Sequence, residues 1–112
     1  MPRDVVRNLL AITRALYRVE LGATETEAAT RLARLEEIGH MLRQALELSR
    51  VEPDTIEHRA AWSWADRGTT ALGDLVATTD AKLGPVVRAA ADKLKTSQCL
   101  QRDSLDDDRL CS

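Results

Sequence analysis

The chain has no phenylalanine, one tyrosine and two tryptophans among its 112 residues. Its core therefore cannot be built on aromatic rings and must rest on Leu, Val, Ile and Ala. Side chains as small as Ala remove little apolar area from water, so a monomer of this kind is marginal and self-association is a natural remedy. Cysteine is almost absent. Cys99 and Cys111 both lie in the C-terminal stretch, outside the strongly periodic segments, where a disulfide would tie down nothing else. They read as reduced thiols. No apolar run approaches the ~18 residues needed to cross a bilayer, and the first residues lack a signal-peptide core. The expectation is a cytoplasmic protein with no membrane partner. A surplus of basic charge is missing too: 16 Lys and Arg stand against 18 Asp and Glu. Arg102 and Arg109 against Asp103, Asp106, Asp107 and Asp108 account for the whole net charge of −2. The remaining body is neutral, which argues against general nucleic-acid affinity.

What the chain does have is helical periodicity. Val5, Leu9, Ile12, Leu16 and Val19 recur at alternating spacings of four and three. Arg3, Arg7, Arg14 and Arg18 fall within roughly 60° of each other on the opposite side, and Val6, Leu10, Tyr17 and Leu21 widen the apolar arc. A helix apolar over half its circumference wants more than one neighbour. This first helix is predicted from Asp4 as N-cap to Leu21, with Gly22 as its stop. Thr24 with Glu27 three residues on predicts a capping box, opening the longest helix, at about 24–50. After Pro53, Asp54 with Glu57 marks another start. The third helix carries Ile56, Ala60, Ala61, Trp64 and Ala65 and ends near Gly68, and Thr69 or Thr70 caps a fourth with Leu72, Leu75, Val76, Thr79 and Leu83. Alternatively these two are one bent helix. Gly84-Pro85 breaks the pattern, and Pro85 suits the first turn of a short fifth helix bearing Val86, Val87, Ala90, Ala91 and Leu94. The fold class is thus all-α: a small bundle of four or five helices in one domain over residues 1–95, with a polar acidic tail over 96–112 expected to be disordered.

Two stretches resemble known families. Leu35-Glu36-Glu37-Ile38-Gly39-His40 and Ala71-Leu72-Gly73-Asp74-Leu75-Val76 resemble the MazG-type all-α nucleotide pyrophosphohydrolases, whose pattern is Glu-Glu-x-x-Glu and then Glu-x-x-Asp. The resemblance implies an Mg²⁺ site at Glu36, Glu37 and Asp74, where the ions would hold phosphates and activate a water. His40 and Ala71 stand in place of two of the family's five carboxylates. His40-Met41-Leu42-Arg43 is similar to the phosphoacceptor segment of histidine phosphotransfer domains, which implies phosphorelay through His40; Gln44 stands where that family usually keeps a glycine. The plain alternative to both is a helix surface carrying solvated charges.

Trp62 and Trp64 point about 160° apart on a helix, so a single buried face cannot hold both. Trp64 follows the Ile56/Ala60 stripe and is the predicted core residue. Trp62 aligns with His58 and Asp66, either packed by another helix or exposed as an anchor for a protein partner. The arginine stripe of the first helix is a solvated or internally paired face, or a surface for carboxylates or phosphates, on an acidic protein partner before a nucleic acid. Without a complete catalytic set, the leading expectation is a small interaction module, a chaperone, adaptor or regulator, that self-associates and binds a protein partner through Trp62, His58, Asp66, Arg3, Arg7, Arg14 and Arg18. No cofactor is expected outside the Mg²⁺ reading.

Overall fold

Arg3 begins the first helix and pins it to the end of the second. In the computed structural model, which describes residues 2–50 and 55–103, the chain forms α1 (Arg3–Leu21), α2 (Thr26–Leu48), α3 (Ile56–Thr79) and α4 (Gly84–Asp103). Arg3 Nη1 donates to the Leu46 carbonyl at 3.0 Å and to Ser49 Oγ at 2.8 Å. The last turn of α1 meets the first turns of α2 through Arg31, whose Nε donates to Glu20 Oε1 at 2.8 Å. The same guanidinium reaches Glu25 at 3.3 Å and Glu27 at 3.6 Å. The two helices are therefore an antiparallel hairpin held at both ends.

The expected capping box does not form at the start of α2. Thr24 lies outside α2, the N-cap is Glu25, and no side chain caps the first turn by hydrogen bonding. The side chains of Arg31 and Glu20 are only 19% and 15% exposed, and Glu20 holds the Arg31 pKa above its ordinary value. Arg34, by contrast, faces Glu37 across 3.7 Å with both side chains largely in solvent. Arg31→Met is therefore expected to lower the melting temperature measurably, and Arg34→Met to leave it nearly unchanged, when thermal melts are followed by circular dichroism.

The predicted break at Gly68 does not occur. α3 runs unbroken through Gly68 and Thr69 to Thr79, so the third and fourth expected helices are one. Thr69 is no cap; it is buried mid-helix and its Oγ1 donates to the Ala65 carbonyl at 2.7 Å. Gly68 is where α2 and α3 come closest: a Cβ there would lie 2.9 Å from Leu42 Cδ2 and 3.2 Å from Met41 Cβ. At the start of α3 the cap is Thr55, whose Oγ1 accepts from the His58 N–H at 3.2 Å; the expected cap Asp54 lies outside the described residues. Pro85 does sit in the first turn of α4, but that helix continues past Lys95 to Asp103. Residues 96–103 are thus helical, and 104–112 of the expected tail lie outside the described residues.

The largest fully buried side chains, Leu9, Leu35, Ile38, Leu42, Leu72, Val6, Val76 and Val87, come from all four helices. α2 packs broadly on α1 and α3; α4 lies against α3 and touches α1 only lightly. The result is a rod of 50 × 26 × 18 Å. Among the described residues no helix is long and apolar enough to cross a membrane.

Candidate functional site

The tryptophans are placed the opposite way from the sequence expectation. Trp62 is 8% exposed and belongs to the core cluster, and His58 is buried beside it on the same helix face. Neither offers the exposed anchor that the helical wheel suggested. Trp64 is half-buried at the α2–α3 rim, where its ring meets the His40 ring edge-on, with centroids 6.2 Å apart. The Arg67 guanidinium carbon lies 4.6 Å from the centre of the Trp64 ring. The predicted core stripe holds at Ala61 and Ala65, which are buried, and fails at its edge, where Ile56 is 80% exposed. The buried face of α3 runs through Ala61, Ala65, Gly68, Leu72 and Val76, with Trp62 at its edge toward α4. The physical reason is that α3 lies between two helices. Its small residues let α2 approach, while Trp62 fills the wider gap to α4, in a cleft that Leu94 also lines. Asp66 is exposed at the mouth of that cleft.

The carboxylates of the pyrophosphohydrolase-like pattern have other engagements. Tyr17 Oη donates to Glu36 Oε1 at 2.9 Å, and Glu37 faces Arg34. Asp74 is exposed on α3. Among the described residues no three His, Cys, Asp or Glu side chains are grouped so that they could hold a metal ion. His40 is exposed, packed edge-on to Trp64 as above.

The arginine stripe divides. Arg3 is spent on the α2 C-terminus, and Arg7 faces Asp4 at 3.7 Å in solvent. Arg14 and Arg18 instead line a cleft of about 200 Å³ between α1 and α2, together with Arg43 from the facing helix. No salt bridge engages any of these three arginines among the described residues. The apolar part of the lining is Leu10 and Leu35, and Gly39 completes it. The Arg43 guanidinium folds back over Gly39: a Cβ on Gly39 would lie 3.6 Å from Arg43 Nη1, an ordinary contact. Tyr17 and Glu36 close one side; their hydrogen bond raises the Tyr17 pKa and keeps the phenol protonated. Gly39, Arg43 and Tyr17 were not legible as site residues, because only the α1–α2 pairing brings them to Arg14 and Arg18. The available signal was the matched spacing of four, Arg14 to Arg18 and Gly39 to Arg43.

On the other side of α1 a groove of about 420 Å³ separates it from α4, with Val5, Leu9 and Ile12 facing Pro85, Val86 and Ala90. Val19, on the same stripe but outside the groove lining, is 70% exposed.

No family model matches the chain, and comparison with curated proteins and with solved structures finds no significant similarity.

Proposed function

We propose that this chain is a small helical protein–protein interaction module, a chaperone, adaptor or regulator acting in the cytoplasm, and that it associates with a second copy of itself through α1. The observation that carries this reading is the apolar edge of α1: an open groove between the half-buried Val5 and Ile12 with the buried Leu9 as its floor, then a largely exposed Val19. Leu9 and Val19 are about 15 Å apart along the helix axis at 1.5 Å per residue. When two α1 helices pair antiparallel about a two-fold axis, each Val19 falls on the other copy's groove. One symmetry operation then covers both patches on both chains, which is how an isologous interface becomes self-complementary. The core, poor in aromatic rings and spread along a rod, gains most from such burial.

Light scattering at about 10–100 μM is expected to give the mass of two chains, and the melting temperature is expected to rise with protein concentration. Val19→Asp places a charge on an already exposed position, so it should leave helicity intact while returning the mass to that of one chain. A wild-type mass of one chain at the highest soluble concentration would overturn the reading.

A further inference from the structure

The cleft between α1 and α2 has a charge that nothing among the described residues balances. Arg14, Arg18 and Arg43 contribute three positive charges to its lining and Glu36 one negative charge, a local excess of two. Each guanidinium presents five donors in a planar fork suited to paired oxygens. Leu10 and Leu35 provide apolar lining beside them, so the site suits an organic group carrying a compact dianion. A carboxylate would leave half of the excess unanswered. A phosphodiester backbone also brings one charge per unit, and the body of the chain lacks the basic field that nucleic-acid binding draws on.

We propose that this cleft binds a phosphate monoester, with Arg14, Arg18 and Arg43 on the phosphoryl oxygens and the ester's organic group against Leu10 and Leu35. A monoester carries about −1.5 to −2 charges near neutral pH, which matches the excess. The cleft lies across α1 from the groove beside α4, so it remains open in the paired form and its test is independent of self-association.

The test is calorimetric titration of the full chain at low salt with phenyl phosphate and with benzoate. Phenyl phosphate is expected to bind one per chain, about tenfold or more tighter than benzoate. It should weaken several-fold between about pH 7.5 and about pH 5, as the phosphate loses its second charge. Arg18→Gln/Arg43→Gln is expected to lose at least about tenfold in affinity, with an unchanged circular dichroism spectrum and melt. Arg88→Gln, exposed on α4 away from the cleft, should bind as wild type. If the double variant loses helicity, Arg14→Gln replaces it.

A phosphoserine peptide and its unphosphorylated counterpart distinguish the source of the monoester. Tighter binding of the phosphopeptide than of phenyl phosphate assigns a protein-borne group, and the reverse assigns a free small molecule; both uphold the site. Equal affinity for phenyl phosphate and benzoate, no binding of either phosphate probe, or unchanged binding by a folded cleft variant overturns it.

Discussion

Trp62→Ala is expected to lower the unfolding free energy by about 3–5 kcal/mol, the usual cost of emptying a large aromatic site in a packed core. Trp62 is among the core side chains, on the edge of α3 that faces Leu94 of α4. Its loss leaves a cavity between two helices that share few other large groups. Domains of this size have total stabilities of about 5–15 kcal/mol, so the variant should be largely unfolded at modest urea concentrations. Trp64→Ala is expected to cost only about 1–2 kcal/mol, for partial burial and the stacked Arg67. Urea denaturation followed by circular dichroism measures both, independently of the tryptophan fluorescence that the substitutions remove. Trp62→Phe should recover much of the loss, because a ring still fills the gap. A larger cost for Trp64→Ala than for Trp62→Ala would contradict the α3 packing described above.

Gly68→Ala is expected to destabilise the fold by about 1–3 kcal/mol, although alanine is the better helix former by about 1 kcal/mol. The new methyl would sit 2.9 Å from Leu42 Cδ2 and 3.1 Å from Leu42 Cγ. Leu42 is fully buried, so it has no free space into which to retreat, and Met41 Cβ close by belongs to the α2 backbone scaffold. The two helices must separate, loosening the contacts of Ala61, Ala65 and Leu72 along the same face. Gly73→Ala is the matched control on the same helix. Its methyl would meet only Val87 Cγ1, at an ordinary 3.7 Å, so the propensity gain should survive as about 0.5–1 kcal/mol of added stability. Opposite shifts of the urea midpoint for the two glycines, with similar slopes, are the expected result.

These pairs mark where the sequence is readable and where it is not. The extent of α1 was legible: the four-three spacing of Val5, Leu9, Ile12, Leu16 and Val19 needs only the geometry of a single helix, and Gly22 is its C-cap as expected, whereas Asp4, expected as the N-cap, lies inside the first turn behind Pro2. Pro85 in the first turn of α4 followed from its missing N–H and restricted φ. Gly68 and Thr69 misled because glycine and threonine are local stop and start signals, whereas here one admits the Leu42 and Met41 side chains of α2 and the other donates its hydroxyl to the Ala65 carbonyl. The two tryptophans misled for a related reason. A wheel drawn for one helix identifies a single apolar face, and α3 is covered on both sides by α2 and α4.

Helical class, the approximate span of α1 and the helix start at Gly84-Pro85 are consequences of hydrogen bonding and steric preference along the chain, so they can be read from residues close in sequence; the end of α3 at Thr79, four residues before the expected Leu83, could not. The depth of Trp62, the close approach at Gly68, the clamp of Glu20 by Arg31 and the meeting of Arg14 and Arg18 with Arg43 depend on which helices become neighbours and how far apart they settle. Those distances follow from the packing of side chains tens of residues apart, a balance of volumes and buried area that no local pattern contains.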